Sequence, residues 1–363
     1  MNRTSPSRAL VGAAAAAAGA LVLTGVPLSA SAHGPSVSGH VYEATNDASG
    51  NAITVFDRYA DGSLRRTGVV ATRGAGAGAS LHSQGGVARD GRVVFVVNAG
   101  DDSVSALAVT GHGLELRGRI STHGDFPVSV TVKGGVGYVL NQRSDTIRGF
   151  RYDASGRLRD LPGSTRPLTP NPAGGTTDAA EISFAPNGRS LVVTEKASNS
   201  IDTFAVSGGY AGSASPHASA GAVPYGFDFD RRGHLIVSEA GTGSASSYRL
   251  SHFATITGAL ADGEQAACWL VVGGHHAFVV NAASASVSTY RIAADGSLTL
   301  EAARAASTGA GPTDAAVSPD GRFLSVRLGD GSVQSFRIGS RGTLSPAGTA
   351  TATAAGTSGL VTD

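Results

Sequence analysis

One repeat constrains the chain more than any other feature. An apolar, β-branched run that closes on a polar residue recurs seven times, at 41–46, 93–98, 136–141, 190–195, 234–239, 276–281 and 322–327. The closing residues are Asn46, Asn98, Asn141, Glu195, Glu239, Asn281 and Arg327, so successive intervals are 52, 43, 54, 44, 42 and 46 residues. A period near 45 residues is that of one four-stranded propeller blade. Each run is followed by a second short strand, at 52–56, 103–108, 146–152, 200–206, 245–250, 286–292 and 332–338. Asp90-Gly91, Asn187-Gly188 and Asp320-Gly321 stand just before three of the runs. Such pairs suit the positive φ angles of tight hairpins. Turns such as Asp61-Gly62-Ser63-Leu64 and Asp295-Gly296-Ser297-Leu298 then lead into an outer strand. The pattern predicts an all-β, seven-bladed β-propeller of four-stranded antiparallel blades. The run Ser358-Gly359-Leu360-Val361 would supply the inner strand of the blade whose second strand is 41–46. Pairing of N- and C-terminal strands closes the ring without a free edge.

The rest of the composition narrows the class. Only 15% of residues are charged and the formal net charge is +1, with no basic block, so nothing points to nucleic acid. Cys268 is the single cysteine, which excludes an intramolecular disulfide and leaves stability to a large core. Arg3 and Arg8 precede an uncharged apolar stretch at 9–28, and Ala30-Ser31-Ala32 follows as an A-x-A site. This reads as a signal peptide, 1–32, cleaved after Ala32, so a secreted, extracellular protein is expected, with no membrane attachment after cleavage. Residues 33–40 read as a short N-terminal segment and 41–363 as the propeller. A monomer is expected.

In a propeller, the loops that enter the inner strands and those that leave the second strands open on one face. Candidate site residues were sought there. His82 and Gln84, Glu181, Tyr225, Trp269 and Asp314 precede or begin inner strands. Tyr225 and Trp269 either fill the channel or hold a small polar ligand. The closing Asn residues suit turn capping. Glu195, Glu239 and Arg327 replace them with charge and so stand out as candidates. The reading assigns Glu181, Glu195, Glu239 and His82 to general acid–base chemistry. It assigns Arg327, Gln84, Tyr225, Trp269 and Asp314 to ligand binding. The two long intervals fall around 73–78 and 166–177, where Gly- and Pro-rich rim loops could serve as lids. No metal-ligand spacing appears among the ten histidines, and no cofactor is expected, since attachment motifs for haem or quinone are missing.

The segments 182–189 (Ile-Ser-Phe-Ala-Pro-Asn-Gly-Arg) and 314–322 (Asp-Ala-Ala-Val-Ser-Pro-Asp-Gly-Arg), with the runs ending in Val97-Asn98 and Val280-Asn281, resemble the lactonase-type seven-bladed propeller family. That family includes carboxymuconate-lactonising enzymes and propeller 6-phosphogluconolactonases. The resemblance spans the mature chain and implies His, Glu and Arg side chains at the central mouth, often with a His soon after a Pro. Here the corresponding loops read Pro127-Val128-Ser129, Pro224-Tyr225-Gly226 and Pro312-Thr313-Asp314, and His82 alone occupies a comparable loop. The expected activity is a small-molecule or partner site at the central mouth, for a small carboxylated or lactone-like ligand or an extracellular or cell-wall partner. The alternative is an active hydrolase or isomerase of a lactone or carboxylated small molecule.

Overall fold

The computed structural model describes residues 36–351 and 359–363. The expected signal peptide and its cleavage site lie outside the described residues. Seven antiparallel sheets form seven blades, each built from four consecutive positions outward from a central channel. The inner strands are Leu360–Thr362, Val87–Asp90, Pro127–Lys133, Ala179–Phe184, Pro224–Phe229, Ala267–Gly273 and Asp314–Val317, for blades 1 to 7 in order. The second strands are Val37–Ala44, Val93–Asn98, Val136–Asn141, Ser190–Glu195, His234–Glu239, His276–Asn281 and Phe323–Arg327. They coincide with the seven runs of the repeat. Blade 1 is completed by Leu360–Thr362, which pairs antiparallel with the first described strand in the register Val41↔Thr362, Tyr42↔Val361 and Glu43↔Leu360.

Two boundaries differ from the sequence expectation. The first strand begins at Val37, inside the segment expected to precede the fold. Ser38 and Gly39 carry no β-strand signal, but a register shift there lets Ser38 bond the Arg58 carbonyl. In blade 3 the outer strand is split into Leu158–Asp160 and Arg166–Pro167, both pairing with Thr146–Tyr152. Pro162 and Gly163 interrupt it, and this absorbs part of the 54-residue interval.

The two long rim segments are fastened rather than free. Gly76 and Gly78 donate amides to the carbonyls of Asp47 and Asn46, and Ala77 donates to Asn46 Oδ1. Thr169 bonds Asp202 through its amide and hydroxyl, and Thr177 bonds Asp145 the same way. The expectation of lids is therefore not what the hydrogen bonding supports. Gly76 packs so closely that a Cβ there would overlap the main chain of Asn46. Gly76→Ala is expected to destabilise the protein by about 1–3 kcal/mol, read by denaturant unfolding.

The core fills the wedges between blades, where the second strands are buried on both faces and the third strands are largely buried. Phe95, Tyr138, Phe150 and Phe204 are fully buried in one such cluster. Each buried side chain of this size contributes roughly 1.5–3 kcal/mol.

The inner strands pose a separate problem. Each is the edge of its sheet, with main-chain groups that no fifth strand can pair. Side chains from the preceding blade supply acceptors. Ser129 Oγ accepts from the Ile182 amide (3.1 Å), Glu181 Oε2 from Phe227 (2.7 Å), Asp228 Oδ2 from Val272 (2.8 Å) and Asp314 Oδ2 from Leu360 (2.9 Å). These bonds stitch blade to blade around the channel and bring carboxyl groups to its wall.

Candidate functional site in the central channel

The inner strands begin at the loop face and end at the hairpin face, where they turn into the second strands. At the start of four of them the register slips by an extra residue or more: Pro127/Ser129, Ala179/Glu181, Pro224/Phe227 and Ala267/Trp269. Bulges of this kind re-aim side chains. Here they put Glu181 on the channel wall, and Tyr225 and Trp269 across the loop-face end.

That end is closed. Gln84 reaches over the channel from blade 2 to blade 6. Its Nε2 donates to the Leu270 carbonyl (2.8 Å) while its Oε1 accepts from the Leu270 amide (2.9 Å), a two-point bridge like a single β-pair. Trp269 Nε1 donates to the Ser83 carbonyl (2.9 Å), and the Trp269 and Tyr225 rings meet edge-on at 5.4 Å. Lys196 lies over the Tyr225 ring at 5.0 Å. Its Nζ donates to the His82 carbonyl (2.7 Å) and pairs with Asp178 (3.3 Å), while burial lowers its pKa. Tyr225, Trp269 and Gln84 thus fill the mouth, one of the two roles open to the aromatic pair. Cys268 lies buried beside them, and burial pushes its thiol up to about 12.

Below this plug is a cavity of about 240 Å³. Its polar wall is Gln84, Glu181, Ser183, Asp228 and Asp314, and its apolar wall includes Val271, Val317 and Leu360. Because Ser183, Asp228 and Val317 stand in the later halves of their strands, the cavity extends towards the hairpin face. The expectation placed the site at the loop-face mouth; the plug moves it to the other side.

Burial dominates the titration of all three carboxyls. It raises Glu181 well above the usual carboxylate range, with Asp228 and Asp314 adding repulsion. It raises Asp228 to about 6, against the pull of the Val272 and Phe229 amides. It raises Asp314 to about 7, opposed by the Ala315 and Leu360 amides and by Arg327. At neutral pH the cavity therefore offers both a carboxylic acid and a carboxylate, the combination that acid–base chemistry needs.

The other candidates lie elsewhere. Glu195 accepts from Ser198 (2.6 Å) and Ser200 (2.9 Å), and burial with Asp202 beside it lifts it to about 8. Glu239 accepts from the Ser219 hydroxyl at 2.8 and 3.0 Å and from Tyr248 at 3.3 Å, and burial raises it. Asn98 and Asn281 also bond nearby serines, but as donors, Nδ2 giving to Ser103 and Ser105 and to Ser286 and Ser288. Glu195 and Glu239 thus occupy the slot of the repeat asparagines, between blades, and do not line the cavity. Arg327 is wholly buried at the seam with blade 1, where its Nε meets Glu43 Oε1 at 2.7 Å and its Nη1 meets Thr313 Oγ1 at 2.9 Å. His82 is exposed on the loop face, beyond the plug. Of the four catalytic candidates, only Glu181 lines the cavity, with Gln84 and Asp314 from the binding set. Asp228 was missed. Its signal was a lone acid in Phe227-Asp228-Phe229, inside an otherwise apolar inner strand. Among the described residues no group of three or more His, Cys, Asp or Glu side chains is placed to hold a metal ion.

Comparison with known proteins gives the same frame. Among solved structures, a provisionally named 6-phosphogluconolactonase from Bacteroides uniformis superposes with a TM-score of 0.72 at 17% identity, covering 90% of this chain and 99% of that one. A protein from Lactobacillus plantarum gives 0.71 at 17% identity, over 90% and 99%. The periplasmic gluconolactonase of Pseudomonas aeruginosa gives 0.70 at 18% identity, over 89% and 98%. At such identities these likenesses speak to the fold alone. A search of the curated proteins finds no sequence match. The family model described as "Lactonase, 7-bladed beta-propeller" matches residues 49–166, 133–262 and 253–360. With nearly all of the propeller covered, the chain belongs to the seven-bladed β-propeller lactonase family.

Proposed function

We propose that the protein hydrolyses a small lactone in the central channel, with Asp228 as general base and Glu181 as general acid. The observation that carries this reading is the meeting of three buried carboxyls, each with its pKa raised by burial, with the Gln84 carboxamide in one cavity. At about 240 Å³ the cavity suits a single sugar-sized ring rather than a polymer. Asp228 takes a proton from water as the oxygen attacks the lactone carbonyl carbon. Glu181 gives its proton to the ring oxygen as the carbonyl carbon–oxygen bond breaks, and the product is the open hydroxy acid. Exchange with solvent then restores both groups. The reading includes export, which rests on Arg3, Arg8 and the Ala30-Ser31-Ala32 site.

A second reading, binding without turnover, draws on a specific feature. Asp228 and Asp314 each accept two main-chain amides, which is scaffold work. A panel of five- and six-membered aldonolactones and carboxylated lactones, offered to the purified mature chain, separates the two. The hydrolase reading expects turnover of at least one lactone and a loss in kcat/KM of roughly 10²-fold or more in Asp228→Asn. Saturable binding with no turnover would establish the second reading instead.

A further inference from the structure

We propose that the cavity between blades 4 and 5 on the hairpin face is a binding site for a small phosphorylated polyol. The cavity holds about 670 Å³, the size of a small-molecule site, and it shares no lining residue with the channel cavity. Three connections build its wall. The hairpin of blade 4 brings Asn187 and Ser190, and the hairpin of blade 5 brings Arg231 and Arg232. The turn between the third and outer strands of blade 5 brings Arg249 and Ser251.

The charge of this wall is unbalanced. Among the described residues none of the three arginines has an ion-pair partner. The Arg231 and Arg249 guanidiniums make no hydrogen bond among those residues either, and Arg232 gives one Nη1 proton to the Ala294 carbonyl (2.6 Å). The acid of the same hairpin, Asp230, is committed to its own turn. Its Oδ2 faces His234 Nδ1 at 2.8 Å, and its Oδ1 accepts from the amides of Arg232 and His234. Three like charges around one cavity repel one another until an anion enters.

The wall selects the anion. A carboxylate brings one charge and two oxygens, enough for a single guanidinium fork. A phosphomonoester brings nearly two charges and three terminal oxygens at one centre, enough for several forks at once. Beyond the arginines the wall can hold hydroxyl groups. Asn187 Oδ1 accepts from the Arg189 amide (2.8 Å), which leaves its Nδ2 to donate inward. The Ser190 and Ser251 hydroxyls bond no other group among the described residues. No Phe, Tyr or Trp among those residues lines the cavity, so the stacking surface that a nucleobase needs is missing.

The test is titration calorimetry of the mature chain with glycerol 3-phosphate, set against glycerol, malate and inorganic phosphate. Glycerol 3-phosphate is expected to bind about tenfold or more tightly than malate or inorganic phosphate, roughly one decade on the affinity scale. Glycerol is expected not to bind, and the affinity for glycerol 3-phosphate is expected to fall as salt rises. Arg231→Ala/Arg249→Ala is expected to weaken that affinity by about tenfold or more, with unchanged melting. Asn187→Ala is expected to weaken glycerol 3-phosphate while leaving inorganic phosphate as it was. The lactone turnover of both variants is expected to match the parent's, so this inference and the channel reading fail separately. The control Arg65→Ala/Arg66→Ala removes equal charge from blade 1. No binding of glycerol 3-phosphate at low salt would overturn the proposal. So would unchanged affinity in the Arg231/Arg249 variant, an equal loss in the control, or equally tight binding of malate or inorganic phosphate.

Discussion

Replacing Arg327 with methionine is expected to destabilise the propeller by about 3–5 kcal/mol, the range for breaking one side of a buried ion pair. Arg327 and Glu43 are fully buried where blade 7 meets blade 1, with Nε and Oε1 at 2.7 Å. In the variant the Glu43 carboxylate stays in the seam without the guanidinium that balances it, and the bonds to Thr313 and the Leu328 carbonyl are lost as well. The pair as a whole is expected to be worth far less than either half, because both charges were desolvated to form it. Glu43→Leu/Arg327→Met should therefore recover much of the loss, and the double-mutant cycle should be strongly non-additive. Urea unfolding of the four proteins measures this. Equal losses that simply add would show that the two residues act independently. The change also reaches the cavity. Arg327 holds the Asp314 carboxyl down, so its removal should move that carboxyl further up from about 7.

The second large effect concerns Glu181. Glu181→Gln should lower kcat/KM for a responsive lactone by roughly 10²–10⁴-fold, the range for a positioned general acid. The parent profile should be bell-shaped. Its acid limb follows Asp228, which must be ionised to act as base, so the rate rises as pH rises through about 6. Its alkaline limb follows Glu181, which must keep its proton, so the rate falls once pH exceeds its raised value. Glu181→Gln should abolish the alkaline limb and keep the acid one. A profile that keeps both limbs would remove Glu181 from the acid role. Stability should run the other way across the same range. Both aspartates have folded values raised above those of the unfolded chain. The stability they add is complete below the unfolded carboxylate range, and it is lost as pH rises through about 6 for Asp228 and about 7 for Asp314.

The parts of the structure that could be read from sequence were those governed by local pattern. The second strands are unbroken apolar runs, tight hairpins favour Asp-Gly or Asn-Gly, and a ring with a free edge is disfavoured. The seven runs and the pairing of Leu360 with the first strand were therefore legible. The site was less so, because what decides it comes from another blade. Glu195 and Glu239 look like breaks in a row of asparagines. Their role depends on serines three and five residues on, or in the previous blade, and on close glycines such as Gly221, which leaves room for the Glu239 side chain. Gln84 looks like a loop residue until Leu270 is seen opposite it, 186 positions away. Asp228 was visible as a charge between two phenylalanines, yet only the amide of Val272 in the next blade explains its direction.

The seam at Val41–Glu43 and Leu360–Thr362 has a kinetic side. Within a blade, each strand meets a neighbour a few residues away, so the meanders can form while the chain is still growing. The seam joins segments more than 300 residues apart, and its loop-closure entropy exceeds that of a contact one blade away by about 2 kcal/mol. Closure is thus the natural late event of folding, and opening the seam the natural first event of unfolding. Interactions formed after the rate-limiting step govern lifetime more than folding speed. The three-residue inner strand of blade 1 and the Arg327–Glu43 pair beside it thereby act as the latch on how long the ring stays shut.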